Sequence, residues 1–302
     1  MQRKKVLVFL AVYNGAKYLK DQIISIINQE NVSVSILIRD DGSSDESLKL
    51  CYEAVSEHNN VNIICDNEST GTPAGCFYKL ITSVNNVSEF DYYAFADQDD
   101  IWCSNKLHAA INKLDASYDG YSSNLIAFDS QKGRAWIVNK TAVQTNIDYY
   151  FQGASAGCTY VINRNGFEII NKFIKGMNFN RLKALSHDWL IYAVLRSENL
   201  RWVHDDGAFI FYRQHPNNSY GDKKGFELLL MKYALFRNGW YRRHILEMLD
   251  ILRPNEKSRQ IAKFLSVYNI FQRLFNIKFA LGFRRKKIES IFLYFMILIG
   301  LI

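Results

Sequence analysis

The chain has 302 residues, 48% hydrophobic and 22% charged, which excludes a disordered protein and fits one large α/β domain with an appendage or two modest domains. Its five cysteines (51, 65, 76, 103 and 158) are odd in number and lack paired metal-ligand spacing, which argues against a disulfide framework or a zinc site and for a reducing cytoplasm. The net charge of +7 is uneven: residues 221–302 hold 16 Lys and Arg against 6 Asp and Glu, so a mildly acidic body precedes a basic tail suited to an anionic surface.

Met1 to Lys5 leads straight into a strand-length apolar run, so no leader peptide is expected. Val6 to Val12 is continuously apolar, as in a strand buried on both faces, and ends at Tyr13-Asn14-Gly15. Helical spacing follows over 16–29. A second buried strand, Val34 to Ile38, ends at Arg39-Asp40-Asp41-Gly42-Ser43-Ser44-Asp45, and residues 45–57 read as a helix with Ser44 or Asp45 at its cap. A third strand, Val61 to Cys65, ends at Asp66. A glycine-bearing loop then precedes a helix over 76–85. The fourth strand, 91–96, stops at Asp97-Gln98-Asp99-Asp100-Ile101-Trp102, and a helix is expected over 103–116.

This βα alternation predicts a parallel sheet covered by helices. Such sheets bind ligands beyond the carboxyl ends of their strands. All four of those ends carry polar or acidic residues. The carboxylates at 97, 99 and 100 repel one another, and a hard divalent cation such as Mg²⁺ or Mn²⁺ would neutralise them, usually alongside substrate phosphates. No Gly-x-Gly-x-x-Gly follows the first strand and no P-loop is present, which argues against a dinucleotide oxidoreductase and a P-loop phosphotransferase.

Beyond residue 120 the alternation breaks down. Asn124 to Asp129 reads as a short strand, 130–150 as irregular, and Gly153 to Cys158 as a small-residue loop entering a strand at 159–162. Residues 164–174 read as helical. Ser186-His187-Asp188-Trp189 opens an apolar helix with Asp188 in its first turn, where a negative charge is favoured. Arg201 to Arg213 reads as two short strands around a turn at Asp205-Asp206-Gly207, delivering the donor-rich stretch Arg213-Gln214-His215-Pro216-Asn217-Asn218.

The tail shows helical spacing over 226–250 and 257–281. Arg284-Arg285-Lys286-Lys287 then precedes Ile288 to Ile302, which is too short to span a bilayer, since about 20 residues are needed. A basic cluster before such a segment fits a helix lying in a membrane interface; packing on the body of the protein is the alternative. Nucleic acid is not an expected partner, because the apolar faces are large and no reading helix is visible.

Five motifs in order, Ala11-Val12-Tyr13-Asn14-Gly15, Asp40 to Asp45, Asp97 to Trp102, His187-Asp188-Trp189 and Tyr212 to His215, resemble a family 2 glycosyltransferase, in particular the rhamnosyltransferase-like bacterial polysaccharide branch. Ala11 stands where that family often has Thr, and Cys76 where Asn is common. The resemblance implies a GT-A fold, a Rossmann-like mixed sheet flanked by helices. The divisions are residues 1–118 for nucleotide sugar, 119–221 for acceptor, and 222–302 as a helical, basic, membrane-associating extension.

The resemblance also implies an inverting transfer from a nucleoside-diphosphate sugar, dTDP-rhamnose or a UDP-sugar, to a lipid-linked (polyprenyl diphosphate) saccharide at the cytoplasmic side of the membrane. Tyr13, Asn14, Asp40, Asp41, Asp97 and Arg213 are implied in donor binding, Asp97, Asp99 and His215 around the cation, and Asp188 as catalytic base. Trp102, His187, Trp189 and Gln214 are placed as acceptor-side or supporting residues. The competing readings are a sugar-nucleotide nucleotidyltransferase and a non-catalytic membrane assembly protein.

Overall fold

The computed structural model describes residues 3–66, 68–130, 132–215, 230, 233–266 and 277–302. Pro216, Asn217, Asn218 and the expected boundary at 221 lie outside them. The first half follows the predicted alternation: β1 (Lys4–Val12), α1 (Ala16–Ile27), β2 (Val32–Asp40), α2 (Ser47–Glu57), β3 (Val61–Ile64), α3 (Pro73–Ser83), β4 (Tyr92–Ala96), a two-residue β5 (Ile101–Trp102) and α4 (Lys106–Leu114). Helix α3 begins earlier than the apolar spacing suggested. Pro73 occupies its first turn and the Thr72 hydroxyl accepts the Gly75 N–H at 3.0 Å, a cap that the glycine-rich composition obscures.

The second half adds β6 (Gly120–Asp129), β7 (Arg134–Val138), β8 (Val161–Asn163), α5 (Arg164–Lys175), α6 (Phe179–Leu182), α7 (His187–Ser197) and β9 (Trp202–Arg213). Two readings are corrected here. Residues 134–138 are a strand paired antiparallel with β6, not irregular chain. The expected turn at 205–207 is a bulge within one continuous strand: Ser123 pairs with Asp205 and Asn124 with Ala208, and the Asn124 amide donates to the Asp206 carbonyl at 2.9 Å. A bulge absorbs turn-forming residues without reversing the strand.

The sheet runs β3-β2-β1-β4-β8-β6-β9-β5, with β7 beside β6. β1, β2, β3 and β4 are mutually parallel, so their carboxyl ends share one edge; in register, Val12 faces Asp40 and Leu10 faces Ala96. Alternating side chains of β1 divide the core. Val6, Val8, Leu10 and Val12 pack towards α1, α2 and α4, while Leu7 and Phe9 join α3, α5 and α7.

The C-terminal helices α8 (Trp240–Ile251), α9 (Glu256–Ser266), α10 (Ile277–Ala280) and α11 (Lys287–Leu298) belong to this second layer. Tyr241, Ile245, Met248, Phe264, Phe283, Leu293, Tyr294 and Ile297 are buried in the same cluster as Phe9 and Trp189. The basic run also departs from expectation. Arg284 donates to the Phe151 carbonyl and pairs with Glu289; Arg285 pairs with buried Asp148 at 3.1 Å and donates to the carbonyls of Gly153 and Ala154. These two guanidiniums face inward, because residues 148–154 present carbonyls and a carboxylate that need donors.

Candidate active site

Four loops meet at the carboxyl edge of the parallel strands. At the end of β1, Tyr13 is exposed, and Asn14 takes a positive φ of 48°. The Asn14 side-chain carbonyl accepts the Ser44 N–H at 2.8 Å, and its own N–H donates to the Ser43 hydroxyl at 2.8 Å. Asn14 therefore ties the first two loops together. Gln98 does the same between the first and fourth: its Oε1 accepts the Tyr13 N–H at 2.7 Å and its Nε2 donates to the Tyr13 carbonyl at 2.8 Å. A Cβ on Gly15 would stand 2.3 Å from Gln98 Oε1, so glycine is required for this clamp. Sequence reasoning passed over Gln98 because an amide between carboxylates carries no charge signal.

Asp40 accepts the N–H groups of Gly42 and Ser43 at 3.0 and 2.8 Å and so shapes its own loop. Asp41 is buried. Its oxygens accept from Arg39, the N–H groups of Thr70 and Gly71, and the Ser69 hydroxyl. Arg39, fully buried, also holds Asp66 and the Glu68 carbonyl. Asp41, expected at the donor, joins the β2 loop to the segment before α3.

At the fourth loop, Asp97 feels two other carboxylates. Burial first, then Asp99 and Asp188, push its carboxyl up to about 7. Asp99 meets His215 Nε2 at 2.8 Å, with both side chains 15% exposed. The late loop thus returns to the acidic cluster, and Asp188 sits near enough to act on Asp97. Arg213, expected at the donor, lies beside the acidic loop. Its guanidinium stacks over the rings of Tyr18 and Phe128, its Nε donates to the Asp99 carbonyl at 3.1 Å, and only 11% of its side chain is exposed. Gln214 is fixed through its N–H on the Phe128 carbonyl at the same strand end, at 2.8 Å.

Trp102 is buried with the Lys106 ammonium of α4 3.4 Å from its ring centroid, a supporting place behind the acidic loop. Burial pushes the Lys106 amine down to about 7, and that amine has no hydrogen-bond partner. Next to it, burial and the neighbouring carboxylates raise the Asp100 carboxyl well above the usual range.

Asp188 opens α7, accepting the Ser186 hydroxyl and the Trp189 N–H. His187 is partly buried, its ring 4.2 Å from that of Phe77 between centroids, and the desolvation lowers its pKa, favouring the neutral ring. Trp189 donates from Nε1 to the Tyr149 carbonyl at 2.8 Å. Helix α7 receives one further support that sequence reasoning missed. His244 of α8 accepts the Ser186 N–H on Nε2 at 3.2 Å, and its Nδ1 lies 3.1 Å from the Trp240 carbonyl. Burial pushes its pKa down to about 4, so the ring is neutral and Nδ1 carries the proton that Trp240 accepts.

The family model for glycosyl transferase family 2 matches residues 7–187. The chain is also 34% identical over 298 residues to the dTDP-rhamnosyl transferase RfbG of Shigella flexneri, an alignment covering 97% of this chain and 100% of the relative. The chain belongs to glycosyltransferase family 2. Among solved structures it resembles S. aureus TarS 1-349 in complex with UDP, with a TM-score of 0.54 and 17% identity over 92% of this chain and 80% of that one. It also resembles the mannosyltransferase PcManGT of Pyrobaculum calidifontis in complex with GDP-Man and Mn²⁺, with a TM-score of 0.50 and 14% identity over 98% and 86%. The fold is GT-A, as expected, and the chain is a glycosyltransferase.

For a family 2 enzyme the question is whether these residues suit a divalent cation. Clustered carboxylates, with Asp97 pushed up to about 7 by burial and then by Asp99 and Asp188, are the condition that a cation relieves. Among the described residues one group of three brings its ligand atoms together. Asp97, Asp100 and Cys158 bring ligand atoms within 4.8 Å of one another, but Asp100 and Cys158 are buried, and burial holds the proton on the thiol. Asp99 and His215, in contact with each other and each partly exposed, offer a carboxylate and an imidazole in the loop next to Asp97. By donor type, Asp97, Asp99 and His215 suit a hard cation better than a set that includes a protonated thiol.

Proposed function

We propose that the enzyme transfers a 6-deoxyhexose, rhamnose in the first instance, from a thymidine-diphosphate donor with inversion, onto a lipid-linked saccharide used in surface polysaccharide synthesis. The similarity to RfbG along nearly the whole of both chains supports the donor. The observation that carries the chemistry is the convergence of Asp188, Asp97, Asp99 and His215 from three separate stretches of chain.

In this reading Tyr13, Asn14 and Asp40 frame the nucleotide, with Asp41 and Arg39 holding that frame. Asp97, Asp99 and His215 hold Mg²⁺ or Mn²⁺, which when bound stabilises charge on the leaving diphosphate. Asp188 accepts the proton of the attacking hydroxyl as the new bond to the anomeric carbon forms and the bond to the diphosphate breaks. A general base in this position typically contributes ~10²–10⁴-fold. His187 and Trp189 fix the start of α7, so the carboxylate is positioned before substrate arrives.

Peripheral association with the cytoplasmic face of a membrane completes the proposal. No helix among the described residues is long and apolar enough to cross a membrane. On α11, however, Ile288, Ile291, Phe295 and, just past its end, Ile299 are exposed at helical spacing, beside exposed Lys286 and Lys287. An apolar stripe flanked by lysines suits an anionic lipid surface.

The donor assignment is tested by thermal shift with Mg²⁺ or Mn²⁺ across thymidine- and uridine-diphosphate sugars, followed by transfer assays with the best binder. Cation-dependent stabilisation strongest with dTDP-rhamnose is expected. Stabilisation by UDP-sugars alone would remove rhamnose from the account.

A further inference from the structure

Lys106 opens α4 with its side chain turned inward. It is 1% exposed, its Nζ lies 3.4 Å from the centroid of the Trp102 ring, and that nitrogen has no hydrogen-bond partner among the described residues. The face of an indole attracts an amine. An apolar side chain would still cover the ring at less cost, because a buried amine gives up its hydration. The ionisable groups that act on the amine are Cys158 and Asp100, so it stands next to the acidic loop.

Asp100 joins two parts of the site. The β5–β9 ladder ends with Ile101 opposite Phe211. Past that end, Asp100 Oδ1 accepts the backbone N–H of Arg213 at 3.4 Å, and the Asp99 carbonyl accepts from Arg213 Nε at 3.1 Å. His215, two residues on, meets Asp99. A side chain thus extends the ladder and carries the late loop to the acidic cluster. Asp100 is fully buried, and its Oδ2 has no hydrogen-bond partner among the described residues. One long bond orients a carboxyl poorly, and a second donor would fix it. The Lys106 amine is an unmatched donor beside this unmatched acceptor, and one buried water satisfies such a pair together.

We propose that Lys106 is a positioning residue for the cation site: its amine, seated on Trp102, orients the Asp100 carboxyl, which holds the Arg213 N–H and so sets His215 against Asp99. The proposal rests on the reading of Asp97, Asp99 and His215 as cation ligands. It adds a residue that acts on them without touching the ion.

Mn²⁺ titrations of the full chain, read by electron paramagnetic resonance, compare wild type with Lys106→Met, Asp100→Asn and the double variant. Lys106→Met keeps an apolar stem over the indole and removes the nitrogen. Its Tm without cation should equal or exceed that of wild type, since a buried amine is gone. Its Mn²⁺ affinity should nevertheless fall about tenfold. Asp100→Asn should weaken Mn²⁺ by a similar factor and the double variant no further, because both act along one path. In histidine-selective NMR, the His215 ring signal, assigned with His215→Gln, should move in Lys106→Met as the contact with Asp99 loosens.

Wild-type Mn²⁺ affinity in Lys106→Met, an unmoved His215 signal, or losses that multiply in the double variant would overturn the proposal and leave the cation reading standing. Lys106→Leu repeats the measurement if the Met variant does not fold; failure of both to fold would make the amine a structural requirement and also overturn the proposal. If wild type binds no Mn²⁺, the cation reading and this proposal fall together.

Discussion

His244, in the first helix of the C-terminal segment that the structure describes in full, accepts the backbone N–H of Ser186, two residues before Asp188. The tail thus supports the start of the helix that carries the proposed base. His244→Ala should leave that N–H unmatched and lower stability by roughly 1–3 kcal/mol. Urea unfolding should show the midpoint shift. Turnover should fall while dTDP affinity stays within about twofold, whereas a loss of affinity equal to the loss of turnover would tie His244 to the donor side.

Gly157 packs against the same structure. A Cβ there would stand 2.7 Å from His187 Nε2 and 3.3 Å from Asp188 Cβ, and His187 is wedged against Phe77 and cannot swing away. Gly157→Ala should displace Asp188 and reduce kcat by about 10²-fold, the usual consequence of misplacing a catalytic group by about 1 Å. Steady-state kinetics with unchanged donor KM would support this. An unaltered kcat would show that the base tolerates the shift.

The carboxyl of Asp97, pushed up to about 7, sets a pH dependence. Between its unfolded value near 3.8 and about 7, the folded protein binds more protons than the unfolded chain, so stability without cation falls as pH rises through that window. Asp97→Asn should remove the slope and raise Tm at pH 7.5, with no gain at pH 4. Cation binding must expel the proton, so affinity should drop by about tenfold per pH unit below 7. Calorimetry in buffers of different ionisation enthalpy reads the released proton; a pH-independent affinity would place the cation elsewhere.

The outer face of α11 gives a membrane prediction. Replacing Ile288, Ile291, Phe295 and Ile299 by Ser together should lower binding to anionic liposomes by at least about tenfold. Each side chain is exposed, so the cost to stability should stay near 0.5 kcal/mol per site. Deleting 284–302 is a poorer experiment, because Leu293, Tyr294, Met296 and Ile297 are core residues and Arg285 holds residues 153 and 154. Retained flotation of the four-site variant would move the membrane contact to another surface.

The parallel half of the sheet was legible because continuous apolar runs such as Val6 to Val12 admit one reading, and polar strand ends mark one edge. Strand β9 was misread because Asp205-Asp206-Gly207 has turn composition, and only the partner strand decides between a turn and a bulge. The acidic loops were legible by charge. Their scaffolding was not: Arg39 to Asp66, Gln98 to Tyr13 and His244 to Ser186 are contacts 27 or more residues apart in sequence, which no local pattern encodes. The tail illustrates the same limit. Arg284 and Arg285 have the composition of a membrane-facing cluster, yet buried Asp148 and the carbonyls of 151–154 draw them inward.

Asp188→Asn tests the central claim most directly, because the amide keeps the shape of the carboxylate while losing its ability to take a proton. Transfer from dTDP-rhamnose, followed by dTDP release, should fall within the ~10²–10⁴ range of a lost general base, with cation-dependent dTDP affinity preserved. Wild-type turnover in that variant would contradict the account, leaving the convergence of Asp188 with Asp97, Asp99 and His215 without a catalytic meaning.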